Sequence, residues 1–485
     1  MISSEVDPFA RTGGLGDVAG GLSNALADLG AEVLVVTPRY SVSRVPNGAA
    51  LWDGTVPARI GWAPGEVREM GVLEVRDPAR RASGGAMRVC LLEDPGLFGR
   101  DGIYGDAHGT FGDNELRFVA MSRAALAVSE RAWGLPDVVH THDWHAAPAV
   151  LSARMTMGER WRQVPTVFTI HNLAFQGVLG FDAMDRLQFP RGAFYDGTMA
   201  HEGNVNFMKG AILLSDRVTT VSPTYAEEIL RPSDGFGLDA LLRDQRHKLQ
   251  GIVNGIDVAR FDPRTDGVLP AGYDASNALS SRRACKAALL AEVGMDPGDR
   301  GPLFATVSRL TAQKGIDLLL EIMPALVQAG ARLLLVGQGD GWLEDGLRGA
   351  EQRFPGRVAS RIAFDPVLAR RIYAGADFFV VPSRYEPCGL TQMYAMRYGS
   401  IPIVTSVGGL RDTVTPVDLA HDTGTGLVAP TAAVHDLFVA CEDALGLYRD
   451  EAAFQGVMER AMARDSSWRA SAEQYMTLYR RLERS

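Results

Sequence analysis

Short apolar runs rich in β-branched residues alternate with longer helical runs along this chain, and the alternation starts twice. In the first half, "AEVLVVTP", "DVVHTHD", "PTVFTIHN" and "RVTTVSP" are bounded by turn residues and read as buried strands. The helical runs "GGLSNALADLG" and "ELRFVAMSRAALAV" lie between them. After "LQGIVNGIDVARFDP" the pattern resumes with strands "LFATVSRL", "ARLLLVGQG", "DFFVVPS" and "IPIVTS", separated by helices "GIDLLLEIMPALVQAG", "PVLARRIYAGA" and "LTQMYAMRYG". Strands this apolar are buried on both faces, so each half predicts a doubly wound α/β domain with a parallel sheet, and the boundary falls near residue 250. The patch from Asp77 to Gly85 predicts an exposed loop tip.

Composition narrows the partners. With 485 residues, 46% of them hydrophobic and 22% charged, the chain can bury large cores. A formal net charge of −9 argues against nucleic acid or an anionic membrane, since both reward clustered Lys and Arg. No run of 18 apolar residues occurs and the start "MISSEVDPFAR" has no apolar signal core, so the cytoplasm is the expected compartment. Cys90, Cys285, Cys388 and Cys441 are too scattered for a disulfide framework or a metal knuckle.

Ligands of open α/β sheets bind beyond the carboxyl ends of the strands, and the unusual polar clusters fall there. "RTGGLGDVAGG", Arg11 to Gly21, follows an expected first strand and opens a helix, which makes an anion site of its backbone N–H groups with Arg11 beside it. A Gly-rich turn with no ligand is the plainer alternative. The same letters fit G-x-G-x-x-A, but the next strand ends in Thr37, Pro38 and Arg39 where a dinucleotide fold needs an acid for the ribose. That weighs against an NAD-dependent oxidoreductase.

His140 and His142 alternate onto one strand face, with Asp143 and His145 following. Zinc is one reading of them, and hydrogen-bonded histidines are the other. His171 and Asn172 close the next strand. In the second half Arg309 and Lys314 flank a strand end just before a helix and would clamp an anion, unless they are two solvated surface charges. Gly337 and Gly339 permit close backbone approach, and Glu386 stands at the end of "FFVVPS", on a Pro-Cys-Gly turn before a helix. No D-x-D triplet offers a seat for a divalent ion on a diphosphate, so fixed cations are expected to carry that charge, with no metal and no cofactor.

In order along the chain, "RTGGLGDV", "DVVHTHDWHAAPA", "TIHNLAFQG", "VNGID", "SRLTAQKG", "EPCGLTQMYAMRYG" and "GTGLV" resemble the bacterial glycogen synthases and plant starch synthases. The resemblance covers almost the whole chain. It implies a GT-B fold, two Rossmann-like domains facing across a cleft: an acceptor-side domain over 1–249, a nucleotide-sugar domain over 250–464, and a helix over 465–485 that crosses back to the first. It implies retaining, metal-free transfer of glucose from ADP-glucose to the non-reducing 4-hydroxyl of an α-1,4-glucan such as glycogen.

The same resemblance implies roles. Glu386, His171, Arg309 and Lys314 would be catalytic, with Glu386 placing negative charge near the oxocarbenium-like ring and both cations on the diphosphate. Donor contacts would come from Arg11, Gly13, Gly14, Asp17, Asn254, Gly337, Cys388, Gly389, Leu390, Thr391 and Tyr394. Tyr104, Asp143, His145 and Asn172 would serve the sugar and the acceptor. Three features depart from the family: Arg11 replaces a usual Lys, "MAHEG" replaces an acidic-aromatic stretch, and the chain starts about half a strand late, so that the central strand is short or the start displaced. The alternative within the fold is a retaining transferase using UDP-glucose or a small sugar acceptor.

Overall fold

The computed structural model describes residues 1–46, 48–60, 65–76 and 85–482; of the expected exposed loop tip at 77–85, residues 77–84 lie outside the described residues and Gly85 is buried. The chain divides into two compact units, Met1–Gly255 with Trp468–Ser485, and Ile256–Ser467.

In the first unit, strands Val33–Pro38, Met87–Glu93, Val67–Arg76 and Ala50–Leu51 lie side by side in that order. A second set runs Val139–His142, Thr166–Ile170, Arg217–Thr220 and Leu249–Gly251, every neighbouring pair parallel. Ile2 joins the two sets, bridging Val36 on one side and Thr141 on the other. The Ile2 N–H donates to His140 O at 2.9 Å, the Ile2 carbonyl accepts from His142 N–H, and Val36 N–H donates to Met1 O. The expected first strand is thus reduced to a single bridged residue in the strand's place, because the chain turns away at Val6 to Ala10 after only a few residues.

Two expectations need correcting. The sheet is not wholly parallel: Val67–Arg76 pairs antiparallel with Met87–Glu93, Val72 opposite Leu92. A strand that doubles back on its neighbour needs no crossover helix, and the "VREMGVLEVR" run has the alternating character of a strand wetted on one face rather than the solid apolar run of a buried one. The first unit also extends past residue 249, because Leu249–Gly251 pairs with Arg217–Thr220.

The closing helix, Trp468–Leu482, belongs to the first unit. Trp468, Ala472 and Tyr475 share a core with Val18, Leu22 and Leu26 of the helix Gly14–Asp28. The two helices meet most tightly at Gly21, where a β-carbon would lie 2.1 Å from the indole Nε1 of Trp468.

The second unit holds six strands in the order Val358–Arg361, Arg332–Val336, Leu303–Val307, Phe378–Val381, Ile401–Thr405 and Leu427–Ala429, all parallel to their neighbours. The chain starts at Leu303–Val307, works outward to one edge, then returns to Phe378–Val381 and works outward to the other. Leu303–Val307 and Phe378–Val381 therefore flank the point where strand order reverses, and loops leaving their carboxyl ends diverge there.

Replacing Gly21 by Ala forces the closing helix off its seat. The change is expected to cost roughly 1–3 kcal/mol of first-unit stability by overpacking. Chemical denaturation followed by Trp fluorescence should show the lower midpoint.

Candidate active site

At the second unit's switch point three loops are tied together. The strand Leu303–Val307 leads to Arg309 and a short 3₁₀ turn, Ala312–Lys314, before the helix Ile316–Gln328. The strand Phe378–Val381 leads to Ser383 and Glu386 before the helix Thr391–Arg397. Lys314 Nζ donates to Glu386 Oε2 at 2.6 Å, with the two side chains only 17% and 9% exposed. The Ser383 hydroxyl donates to the same oxygen at 2.9 Å. Arg309 Nη2 donates to Gln313 Oε1 at 3.4 Å, and Gln313 Nε2 donates to the Tyr385 carbonyl at 3.1 Å.

Lys314 and Glu386 are thus direct partners, and Arg309 reaches the same cluster through Gln313. The carboxylate is held by an ammonium and a hydroxyl. A low-dielectric ion pair needs this further hydrogen bonding to offset the loss of water.

The third loop follows the strand Ile401–Thr405. Gly409 N–H donates to the Glu386 carbonyl at 3.1 Å, and a β-carbon on Gly409 would sit 2.3 Å from Cys388 Cα. Only glycine lets that loop latch the Glu386 turn. Gly337 plays a similar part after Arg332–Val336, where a β-carbon would meet Ser308 O at 1.8 Å. Cys388 is buried, while Gly389, Leu390 and Thr391 are half-buried at the start of their helix. Tyr394 is buried with its ring 4.1 Å from that of Phe261 and 5.8 Å from that of Tyr373. Asn254, grouped by sequence with the nucleotide-sugar domain, is buried in the first unit, just past Leu249–Gly251.

In the first unit, Gly13 is the N-cap of the helix Gly14–Asp28. Arg11 is ion-paired with Asp17, and Asp7 lies 3.7 Å from its Nη1. The N–H groups of Thr12 and Gly13 do not point to an open anion site, as the motif alone predicts. Both donate to Glu5 Oε2, the Gly13 bond at 3.2 Å. Glu5 Oε1 accepts from Tyr104 Oη at 2.6 Å.

Tyr104 stacks on His145 at 4.7 Å between ring centroids, and His145 lies 4.3 Å from Trp144. Asp143, at the start of the helix Asp143–Met155, has φ +57° and accepts N–H bonds from His171 at 2.8 Å and Asn172 at 3.3 Å. A non-glycine residue in the left-handed region is strained, and strain of this kind gathers at functional sites. His171 Nε2 is 2.9 Å from His142 Nδ1.

His140 is hydrogen-bonded through both ring nitrogens, to Tyr479 Oη at 2.7 Å and Thr169 Oγ1 at 2.6 Å, whereas His142 has His171 on Nδ1 and no hydrogen-bond partner on its buried Nε2. Among the described residues no group of three His, Cys, Asp or Glu is placed to hold a metal ion. No described helix is long and apolar enough to cross a membrane.

Residues 1–244 match the starch synthase catalytic domain family and residues 301–446 the glycosyl transferases group 1 family. The chain is 44% identical to the glycogen synthase of Myxococcus xanthus (strain DK1622), over 99% of this chain and 98% of that protein. It is 39% identical to glycogen synthase 2 of Geobacter sulfurreducens (strain ATCC 51573 / DSM 12127 / PCA), over 99% and 98%. The solved catalytic domain of starch synthase IV from Arabidopsis thaliana, bound to ADP and acarbose, superposes with a TM-score of 0.91 at 31% identity, covering 100% of this chain and 99% of that one. This chain belongs to the glycogen and starch synthase family. It is a GT-B hexosyltransferase of glycogen synthase type. A sucrose-phosphate synthase from Thermosynechococcus elongatus, 21% identical with a TM-score of 0.60 over 99% of this chain and 98% of that one, shares the fold.

In this glycogen synthase family member the clustered histidines His140, His142, His145 and His171 are kept uncharged. Burial pushes His171 and His145 down to about 3, with the Arg117 charge adding to the effect on His145, and holds His140 and His142 well below the usual range. At neutral pH these rings offer hydrogen bonds, not charge. Burial moves Asp143 the other way, up to about 7, against the lowering effect of the two N–H bonds it accepts. Sequence reasoning did not single out Glu5, Ser383 or Gln313, although the last two lie inside "FFVVPS" and "SRLTAQKG", because all three gain their partners only through the fold.

The Asp143 shift fixes a sign. Its folded pKa lies above the unfolded one, so its stabilising protonated state is full below about pH 4 and lost as pH rises through about 7. Asp143→Asn keeps the acceptor oxygen, cannot ionise and tolerates positive φ better. The variant is expected to be more stable than the parent at pH 8, by about 2–4 kcal/mol, with the gap narrowing toward pH 5. Melting curves at both pH values check this.

Proposed function

We propose that this protein transfers glucose from ADP-glucose to the non-reducing 4-hydroxyl of an α-1,4-glucan, retaining the anomeric configuration, as a step of glycogen synthesis. The observation that carries the reading is the Lys314 to Glu386 pair at the switch point of the second unit's sheet. Breaking a glycosyl diphosphate bond leaves positive charge on the sugar ring and negative charge on the departing oxygens. A cation and a carboxylate held side by side meet both charges at once, without moving during the reaction.

In this reading Lys314 and Arg309 take the diphosphate, with the loops at Gly337 and Cys388 to Thr391 lying along the nucleotide. Glu386 faces the sugar. In the first unit the turn Gly14 to Gly16, at the amino end of its helix beside the Arg11 and Asp17 pair, is the candidate for an anion contact. Neutral His171 donates or accepts at the hexose, while Asp143, Asn172, Tyr104 and His145 order sugar hydroxyls. ADP in the related starch synthase IV structure favours an adenine nucleotide, and acarbose there favours a glucan acceptor.

A primer-dependent assay with both donors decides the donor question. ADP release from ADP-glucose only when glycogen is present supports the proposal; turnover with UDP-glucose alone sinks it. Glu386→Ala is expected to lower kcat by roughly 10² or more, the cost of removing one electrostatic stabiliser. Lys314→Ala should raise the donor KM and lower kcat together. Unchanged values for both variants would contradict the assigned roles.

A further inference from the structure

Glu5 is a buried carboxylate, 2% exposed, with no ion-pair partner among the described residues. An ionised carboxyl in that setting is expensive unless hydrogen bonds to its charged form replace the lost water. Four donors do so. Oε2 accepts the backbone N–H groups of Thr12 and of Gly13, the latter at 3.2 Å, and Oε1 accepts the Thr12 hydroxyl at 2.9 Å and the Tyr104 hydroxyl at 2.6 Å. The Tyr104 hydroxyl is shared with Ser4 Oγ at 2.9 Å. The carboxylate lies at the amino end of a 15-residue helix, where the dipole favours negative charge.

We propose that Glu5 is a positioning residue: an internal anion that fills the first part of the glycine loop's N–H nest and, through the same carboxylate, holds Tyr104 in register with that loop. Two consequences follow. The loop cannot offer Thr12 and Gly13 to a phosphate, so its capacity for an external anion is confined to the N–H groups of Gly14 to Gly16. Tyr104, whose ring stacks on His145, is fixed to the loop by one residue rather than by packing alone.

A carboxylate accepts from all four donors as they stand. A glutamine of the same shape can keep its oxygen on the two backbone N–H groups only by turning its amide nitrogen toward the Thr12 and Tyr104 hydroxyls, which must then accept instead of donate, so it disturbs the Tyr104 side of the hold more than the loop side. The functional part of the inference rests on the glucan synthase reading above, whereas the structural part does not.

The test uses the full chain with Glu5→Gln and Glu5→Ala. Hydrogen exchange at Thr12 and Gly13 reads the carboxylate's hold directly and needs no activity. Exchange there is expected to quicken at least tenfold in Glu5→Ala and less in Glu5→Gln, and added formate should slow it again in Glu5→Ala. With ADP-glucose and glycogen, kcat over donor KM is expected to fall roughly 10²-fold in Glu5→Gln, as misplacement of a reacting group does, while the glycogen KM stays within about threefold. Formate should partly restore turnover in Glu5→Ala and leave the parent unaffected. Should Glu5→Ala not fold, the isosteric Glu5→Gln and Tyr104→Phe, which removes one of the four bonds, carry the same readouts. Unchanged exchange at Thr12 and Gly13 with donor kinetics within twofold of the parent would overturn the proposal. A parent protein that does not glucosylate glycogen would instead overturn the glucan synthase reading and leave the exchange result standing on its own.

Discussion

The Lys314 to Glu386 ion pair is the interaction on which the second unit's site depends. Two opposite charges, nearly out of water and 2.6 Å apart, are costly to bury singly and stable only together. Their position is dictated by topology. The strands that carry them are neighbours and the loops leaving those strands are bonded to each other, Arg384 N–H donating to the Gln313 carbonyl at 2.9 Å, so side chains from distant parts of the sequence meet. Ser383 and the Gly409 latch then hold the Glu386 turn from two further directions.

The first unit solves a similar problem with opposite means. Its site residues are largely uncharged: histidines held neutral by burial, a tyrosine, and an aspartate whose carboxyl is pushed up to about 7. Glu5, a buried carboxylate with four donors, is turned inward to the glycine loop. A neutral sugar polymer asks for such a surface, which recognises hydroxyls by direction instead of by charge. A diphosphate asks for the other kind. The division of charge between the units therefore matches a reaction with an anionic leaving group and an uncharged acceptor.

Much of the fold was legible because period and composition agree: "VLVVTP" and "FFVV" are too apolar and too short to be anything but buried strands, and the helices between them carry their own punctuation. The switch-point residues were legible too, since Lys314 and Glu386 lie where loops leave strand ends. What could not be read was contact across sequence. Glu5 and Tyr104 are 99 residues apart, and nothing in either neighbourhood announces the other. The glycine loop was read as an empty anion site because a motif does not say which of its N–H groups the chain itself has already filled. Tyr394 sits on a recognisable motif, yet its ring contacts with Phe261 and Tyr373 come from helix packing that no local pattern encodes. The antiparallel strand Val67–Arg76 was missed for a related reason, since a half-wet strand at a sheet margin lacks the solid apolar run that marked the others.

The central claim is that one ammonium and one carboxylate, already paired in the free protein, divide the charge of the departing group and the sugar between them. A crystal structure of the protein with ADP and glucose tests it most directly. The account predicts Lys314 Nζ within hydrogen-bonding distance of the β-phosphate and Glu386 facing the sugar ring, with the two side chains still adjacent. A complex in which the β-phosphate is held elsewhere and Lys314 remains bound to Glu386 alone would contradict it.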